Sequence, residues 1–263
     1  MHLYETHLHT AQGSLCGLSD GRDYIRKYID LGFTGIFVTD HFDGGNTAIT
    51  KSRSWRKWVE AFCRGYEDAR EAGEQLGLDV FFGWEQCYPP ECDEYLIYGP
   101  EKQWLIDRPE MRYWSRAEQF EAIDAAGGCV VQAHPFRDRA YIGSIVLAPE
   151  LVHGIEVANS PNPPGQDALA YRYARRMGLQ MTAGSDIHFI DQRVGDQVFG
   201  VFLPERVTSA FEFAVAVREG RIMGLHVPEA RFEGGRDESI RLPVKVLDRF
   251  GNITRQSAQD LLL

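Results

Sequence analysis

Two histidines one residue apart lie close to the start of the sequence, in the segment ETHLHT at residues 5–10. In an extended strand alternate side chains point to the same face, so His7 and His9 would project together. Two imidazoles on one face can hold a metal ion, but a lone H-x-H pair also occurs by chance on surface strands. The pair therefore indicates a metal site only if the rest of the chain supplies further ligands.

Ligand-type residues also end four other apolar runs. The segments are VTDH at 38–41, GWE at 83–85, QAHP at 132–135 and GSDIH at 184–188. Because the carboxyl ends of parallel strands converge on one face of an α/β fold, these residues would meet the histidine pair there. A single histidine at a strand end is usually exposed or capped, whereas five such ends favour a metal site. The candidate residues are His7, His9, Asp40, His41, Glu85, His134, Asp186 and His188.

The elements that would position these residues alternate along the chain. Apolar runs predict strands at 35–41, 79–85, 95–99, 129–135, 154–160, 180–188 and 197–203. Amphipathic patterns predict helices at 55–77, 115–128, about 165–177 and 209–220, and Ser115 with Glu118 forms a capping box. This alternation predicts a mainly parallel sheet covered by helices, and its many repeats favour a barrel over two separate domains. Residues 241–255 are typical of a small β-hairpin that turns near Gly251–Asn252.

Composition excludes several classes of protein. The 263 residues are 44% hydrophobic and 25% charged, which is ordinary for a globular chain with a substantial core. A net charge of −10 argues against nucleic acid or an anionic membrane as the main partner. No apolar run approaches the roughly 20 residues that span a bilayer, and no basic-then-apolar run resembles a signal peptide. With five cysteines and no C-x-x-C pair, we expect a reduced, cytoplasmic protein.

The ordered segments HLH, TDH, GWE, AHP and GSDIH, which lie within residues 7–188, resemble those of the PHP family, named for polymerase and histidinol phosphatase. The resemblance implies a distorted (β/α)7 barrel and two or three divalent metal ions, which would be zinc, manganese or iron. With the hairpin added, the predicted organisation is a PHP-like barrel over 1–227 and a C-terminal β extension packed on it over 228–263.

The resemblance also implies how the candidate residues divide over three ion positions. The ligands implied for the first position are His7, His9, Glu85 and Asp186. Glu85 would bridge to a second ion that His134 also binds, and His41 with His188 would hold a third. The implied catalytic residues are Glu85, Asp186 and His188.

The sequence departs from the family pattern at two places. Where the family supplies an Asp or His ligand followed by glycine, this chain has Cys16–Gly17. A Cys16 thiolate would favour zinc, but a small buried apolar cysteine explains the residue equally well. In DEYLIYG, Glu94 or Tyr95 replaces a histidine of many relatives. The second ion would then be weakly held or absent unless Glu94 substitutes for that ligand.

Two acids near the ligands are expected to support them. Glu5 points the same way as His7 in a strand and would orient a ligand imidazole. Asp40 is expected to stand behind the ligands and not to bind an ion itself.

The chemistry that fits this site best is hydrolysis of a small phosphorylated metabolite or nucleotide by a metal-activated hydroxide. Arg137 and Arg139 in AHPFRDRAY would bind the phosphate, since a guanidinium can hold two of its oxygens at once. A surface salt bridge with Asp138 is the alternative role for Arg137. An amidohydrolase-type reaction and a non-catalytic PHP module stay open as alternative functions, although the nearly complete ligand set disfavours the module. The predicted partner is a small phosphorylated substrate, without a nucleic-acid polymer or a membrane.

Overall fold

Strands and helices alternate through most of the chain in the computed structural model, which describes residues 1–51, 54–193, 195–233 and 240–254. The strands are β1 His2–Glu5, β2 Gly35–Val38, β3 Asp79–Tyr88, β4 Asp93–Tyr98, β5 Cys129–Gln132, β6 Ile145–Leu147, β7 Gly154–Asn159, β8 Gln180–Gly184, β9 Gly200–Leu203, β10 Gly224–His226 and β11 Val244–Val246. The helices are α1 Asp23–Asp30, α2 Trp55–Phe62, α3 Arg64–Leu76, α4 Lys102–Ile106, α5 Arg116–Ala125, α6 Pro164–Met177 and α7 Ala210–Arg218. Short 3-10 turns cover Pro109–Tyr113, Gly195–Gln197 and Glu229–Phe232.

Nine of the described strands form one sheet in the order β10-β9-β1-β2-β3-β4-β5-β7-β8. The segment after β8 returns to the strands near the other end of the sheet: Phe199 N, just before β9, donates to Ser185 Oγ at 2.8 Å, and Leu8, after β1, bridges Ile187 in parallel register. The sheet is therefore nearly closed, and the predicted α/β barrel is confirmed.

Two strands of the barrel run against the others. β4 pairs antiparallel with β3 and β5, and β9 pairs antiparallel with β1 and β10. The four residues between Tyr88 and Asp93 are too few for a crossover helix, so β4 returns as a hairpin. The barrel thus has nine described strands where a (β/α)7 count was expected, and its sheet is mixed.

The predicted helix over 55–77 is divided into α2 and α3 at Cys63. α3 packs closely against the β1–α1 loop at Gly65, where an added Cβ would come within 2.0 Å of Thr10 Oγ1. The capping box of α5 forms as predicted, with Glu118 N donating to Ser115 Oγ and Ser115 N donating to Glu118 Oε2. The helices predicted near 165–177 and 209–220 correspond to α6 and α7.

The C-terminal segment differs from a simple hairpin. β11 pairs in parallel with β6 as a separate two-stranded sheet, and Leu247 bridges Ile253 to close a turn at Gly251. Val246 and Leu247 are buried in the same apolar cluster as β6. Residues 234–239 and 255–263 of the expected extension lie outside the described part, and the division into 1–227 and 228–263 stays a prediction. No helix in the described ranges is long and apolar enough to cross a membrane.

Candidate metal centre

His7 and His9 follow β1 and lie fully buried on one face, as their spacing predicts. Their Nε2 atoms are 3.1 Å apart. His9 N donates to Ile187 O at 2.9 Å, which joins the segment after β1 to the segment after β8. The pair is therefore brought to the carboxyl end of the barrel, where the other predicted ligands also lie.

Glu85 lies at the centre of four imidazoles. Its Oε1 is 3.4 Å from His7 Nε2 and 3.1 Å from His134 Nε2. Its Oε2 is 3.4 Å from His9 Nε2 and 2.9 Å from His41 Nδ1. The segment after β2 pairs with Glu85, since Glu85 N donates to Asp40 O at 3.0 Å and Phe42 N donates to Glu85 O at 2.9 Å, and the hairpin with β4 flanks it on the other side. Glu85 is thus held by strand pairing on both sides, with its carboxylate on the face of the sheet that carries the four imidazoles.

Asp186 and His188 close the other side of the centre. Asp186 Oδ1 lies 3.1 Å from His9 Nε2, 3.5 Å from His7 Nε2 and 3.9 Å from His188 Nε2. Asp186 and His134 both have positive φ, at 47° and 29°, a conformation that costs energy outside glycine. The surrounding structure holds the backbone of both residues in this strained form.

Glu94 faces the centre, whereas Tyr95 does not. Glu94 pairs with Cys87, which places it on the same face of the hairpin as Glu85, while Tyr95 pairs with Gln86 on the opposite face. The Glu94 carboxylate lies near two of the imidazoles, 3.6 Å from His134 Nε2 and 3.7 Å from His41 Nδ1. Burial and the neighbouring Glu85 raise the pKa of Glu94 to about 8. Of the two residues in the place of the family histidine, Glu94 is the one that faces the cluster.

The rings of His7 and His9 are oriented from behind. His7 Nδ1 lies 2.9 Å from Glu156 Oε1, and His9 Nδ1 lies 3.2 Å from Ser14 Oγ. Ser14 in turn donates to Asp40 at 2.7 Å. Each contact leaves Nε2 of the imidazole directed at the centre, as in metal sites where a second group fixes the ligand. Asp40 has the supporting position that was predicted for it.

Glu5 does not orient an imidazole. Its Oε1 accepts from His7 N and from Ser185 N, both at 2.9 Å, and its Oε2 accepts from Tyr28 OH at 2.8 Å. Glu5 therefore fixes the backbone of the two loops that carry ligands, and the role expected of it falls to Glu156.

The electrostatics of the centre fit bound cations. Burial opposes ionisation of Glu85, but His7 and His41 hold the pKa of its carboxyl well below the usual range. Burial likewise opposes ionisation of Asp186, whose pKa His7 and Arg137 lower. His41 Nδ1 and Glu85 Oε2 are both buried and face each other at 2.9 Å as an ion pair, but they lack a well-aligned hydrogen bond among the described residues.

The donors also form suitable groups for metal ions. Four sets of three donors each have atoms within 4.8 Å of one another: His9, His41 and His188; His7, His134 and Glu156; His7, His9 and Glu85; and His41, Glu85 and Glu94. Imidazole and carboxylate donors are typical ligands of divalent transition metals. The residues present therefore fit the divalent metals that the family resemblance implies.

Cys16 lies at the edge of the centre. Burial opposes ionisation of its thiol, but contacts with His188 and His41 lower its pKa to about 6. The thiol is half-buried and contacts two of the histidines predicted to bind metal. Its surroundings are thus polar, unlike those of the fully buried Cys63 and Cys129.

The two predicted phosphate-binding arginines have different surroundings. Arg137 is buried, and its Nη2 donates to Asp186 Oδ2 at 2.7 Å and to Asn159 Oδ1 at 2.5 Å. Its Nε donates to Asn162 Oδ1 at 3.1 Å. Arg139 donates to the backbone carbonyls of Asp138 and Pro161. Arg137 thus adjoins the centre, whereas the described contacts of Arg139 are with the loops around it.

Sequence reasoning missed Glu156, Ser14 and the two asparagines that hold Arg137. Glu156 lies within the otherwise apolar strand GIEVAN, and a charged residue inside a fully buried strand is the signal that could have revealed it. Ser14 and the asparagines carry no comparable signal, because such residues are common in turns.

The fold and the site define an α/β barrel with a candidate centre for several metal ions at the carboxyl ends of its strands. A family model described as PHP-associated matches residues 165–222, the segment that contains Asp186 and His188. No curated protein matches the sequence.

Three solved structures share the fold. A two-domain protein from Bacteroides vulgatus, described as containing a predicted PHP-like metal-dependent phosphoesterase, is 20% identical over 84% of this chain, with a TM-score of 0.60. The chain spans 63% of that protein's length. A candidate metal-dependent phosphoesterase from Bifidobacterium adolescentis is 19% identical. The match covers 81% of this chain and 96% of that protein, with a TM-score of 0.52. PsfC from Pseudomonas syringae is 18% identical. The match covers 81% of this chain and 87% of PsfC, with a TM-score of 0.51. At 18–20% identity these structures show that the chain shares their fold, and the PHP-associated model covers residues 165–222.

Proposed function

We propose that the protein is a metal-dependent hydrolase that cleaves phosphate esters of small molecules. The observation that carries the proposal is the position of Glu85, whose two carboxylate oxygens lie within 3.4 Å of four imidazoles. An acid in this position can join two cations, and paired cations suit the transfer of a phosphoryl group.

The strand-end residues would hold the metal ions as the family resemblance implies, with Glu85 between two of them. When bound, divalent cations make a coordinated water more acidic and offset negative charge on phosphoryl oxygens. Asp186 contributes a carboxylate opposite Glu85, and Glu156 keeps His7 Nε2 directed at the centre. The side chain of His188 is 20% exposed, so it meets an entering substrate before the fully buried His7 and His9 do.

Arg137 is the residue we assign to the substrate phosphate. Its guanidinium is fixed by Asn159 and Asn162 and lies against Asp186, so its charge adjoins the cluster without a change of rotamer. A guanidinium held in this way is well suited to bind a phosphate oxygen, because little entropy is lost on binding. We assign Arg139 a lesser role at the rim, because its described contacts are with loop carbonyls.

The test combines metal analysis with a paired set of substrates. Purified protein is loaded with Zn²⁺, Mn²⁺ or Fe²⁺ and assayed on a panel of phosphomonoesters and on carboxylic esters and amides of the same leaving groups. We expect metal-dependent release of phosphate, lost on chelation and in Glu85→Ala, and retained in the matched variant Arg139→Ala.

The other outcomes separate the alternatives. Turnover of the carboxylic esters or amides alone would replace a phosphoesterase by an amidohydrolase-type enzyme. Full metal content without turnover of either set would contradict the hydrolase and favour a non-catalytic module.

A further inference from the structure

A small cavity with two arginines lies beside the donor cluster. Its volume is about 210 Å³, below the roughly 300–1,000 Å³ of cavities that enclose drug-sized ligands. None of its lining residues belongs to a donor set of the described structure. We call it the arginine cavity, and it is lined by Ser160, Arg193, Gln197, Phe199, Pro228 and Arg231. Its size suits an ion or a small charged group.

Hydrogen bonds and chain connections fix the arginine cavity next to the centre. Phe199 N donates to Ser185 Oγ at 2.8 Å, and Ser185 directly precedes Asp186. On the other side, Ser160 directly follows Asn159, whose side chain accepts from the guanidinium that we assign to the substrate phosphate. The cavity therefore adjoins the centre without sharing a metal donor with it.

Arg193 brings to this cavity a positive charge that has no ion-pair partner among the described residues. Its Nε is buried and also lacks a hydrogen-bond partner in the described part of the chain, while its Nη1 donates to Gln192 O at 3.3 Å. Lys27 Nζ donates to the carbonyls of Ile190 and Arg193 and so fixes the loop that carries the guanidinium. Because a buried donor without a partner is costly, Arg193 is suited to bind an acceptor from outside the protein.

Arg231 supplies the second guanidinium and is held rigidly. Its Nε and Nη2 donate to Asp167 Oδ2, and Nη2 also donates to the carbonyls of Asn159 and Asn162. Its guanidinium carbon lies 5.2 Å from the ring centre of Phe199. The described hydrogen bonds of Arg231 thus leave Nη1 without an acceptor.

The two guanidiniums oppose each other's charge. Burial lowers the pKa of Arg193, Asp186 raises it, and the charge of Arg231 lowers it. Asp186 is already bound by Arg137 at 2.7 Å, so its charge is shared. An anion between Arg193 and Arg231 would offset their repulsion and supply the missing acceptor. Guanidiniums suit oxyanions in particular, because their planar donors match the oxygens of phosphate and similar groups.

We propose that the arginine cavity binds an oxyanion of the phosphate type between Arg193 and Arg231. Two sources supply such an anion, namely free phosphate and a second anionic group of the substrate. The site goes beyond the proposed function, since none of its lining residues binds metal or the hydrolysed phosphate in that proposal.

The first test measures anion binding and needs no turnover. Metal-free protein of the full chain is titrated with sulfate by calorimetry, with circular dichroism to verify folding. We expect a binding component that persists in Arg137→Ala and is weakened about tenfold or more in Arg193→Gln. The matched control is Arg26→Gln, because Arg26 is exposed on α1 and paired with Asp30. Absence of sulfate binding in the native protein, or equal affinity in Arg193→Gln, would overturn the proposal.

The second test identifies the source of the anion. Metal-loaded protein is assayed on propyl phosphate and on 3-phosphopropionate, which differ in a second anionic group. A rise in KM in Arg193→Gln for 3-phosphopropionate alone would support a substrate group in the cavity. Unchanged KM values for both esters, with the sulfate component of the first test present, would support free phosphate. An equal rise for both would make Arg193 a contact of the hydrolysed phosphate and overturn a separate site.

Failure of this inference and failure of the proposed function give different results. Sulfate binding that depends on Arg193, in a protein that hydrolyses no phosphate ester, would support the arginine cavity and refute the phosphoesterase. Hydrolysis with sulfate binding that does not depend on Arg193 would do the reverse.

Discussion

The donor cluster and the polar residues behind it are both buried, but they are satisfied in different ways. In the cluster, imidazole nitrogens and carboxylate oxygens crowd one another as ion pairs, such as His41 Nδ1 and Glu85 Oε2 at 2.9 Å, without a well-aligned hydrogen bond between these two atoms. Behind it lies a group that we call the backing layer, which consists of Glu156, Asn159, Asn162, Asp167 and Arg231. Its members bind one another through oriented hydrogen bonds. The contrast fits a cluster whose donors are free to bind cations, whereas the members of the backing layer are bound to one another.

The backing layer joins distant parts of the chain to the centre. Arg231, from the 3-10 turn after β10, donates to Asp167 Oδ2 at 2.9 Å and to the carbonyls of Asn159 and Asn162 at 2.9 Å and 2.7 Å. The side chains of the same two asparagines hold Arg137. The C-terminal part of the chain therefore supports Arg137, although it contributes no ligand among its described residues.

The largest effect is expected from Glu85→Ala, which removes the acid that faces four imidazoles. We expect loss of bound metal and of hydrolysis, exceeding the roughly 10–100-fold loss typical of residues behind a ligand. The loss is measured as metal content by mass spectrometry and as turnover of the best phosphate ester. Asp40→Asn is the matched comparison, since Asp40 is buried but stands behind Ser14. Full metal content and turnover in Glu85→Ala would refute the bridging role.

A smaller loss is expected from Glu156→Gln in the backing layer. Glu156 accepts from Asn159 Nδ2 at 3.0 Å and from His134 N at 3.2 Å, and it lies 2.9 Å from His7 Nδ1. An amide of the same shape cannot accept from all three groups, so His7 would be less well oriented. We expect metal affinity to fall about 10–100-fold with the fold retained. Competition with a chromogenic chelator measures the affinity, and an unchanged value would make Glu156 purely structural.

The same comparison shows what sequence reasoning could reach. The cluster was predictable because parallel strands send their carboxyl ends to one face, so ligand-type residues at five strand ends had to converge. Glu94 could not be separated from Tyr95 in this way, because the choice depends on the antiparallel register of β4. The helix at 55–77 was predicted unbroken because its apolar spacing continues through Cys63, and the break there carries no signal in that spacing.

Apart from Glu156, the backing layer was out of reach for a different reason. Its contacts join residues as far apart in sequence as Asn159 and Arg231, and asparagine and arginine are ordinary in surface loops. Arg137 was predicted from its place after His134, but its partners Asn159, Asn162 and Asp186 follow only from the three-dimensional arrangement.

Arg137→Ala tests the residue that joins the two regions. We expect metal content to stay unchanged and kcat/KM to fall by about one to two orders of magnitude, since hydrogen bonds to charged groups contribute roughly 1.5–3 kcal/mol. A rise in KM alone would mean that Arg137 contacts the phosphate equally in the ground and transition states. A fall in kcat would mean that this contact strengthens as charge develops on the phosphate.

Two further variants sharpen the test of Arg137. Arg137→Lys should restore only part of the activity, because it keeps the charge but loses the planar donor pair. Arg139→Ala should have little effect. If Arg137→Ala instead lost metal with unchanged kinetics on reloading, Arg137 would serve only to position Asp186.

The smallest effect is expected from Ser115→Ala, at a site that belongs to neither region. Ser115 caps α5 on the surface, where its Oγ accepts from Glu118 N and the Glu118 carboxylate accepts from Ser115 N. Removing the hydroxyl leaves a backbone N–H of the first turn without its partner, which costs about 1 kcal/mol of unfolding free energy. Urea denaturation of the apoprotein measures this cost, and metal content and kcat/KM should equal those of the native protein.

Because Glu85→Ala and Ser115→Ala alter a buried and an exposed site, the pair separates metal loss from general destabilisation. A drop in metal content in Ser115→Ala would show that the centre responds to global stability, and the losses in Glu85→Ala and Glu156→Gln would then need correction for unfolding.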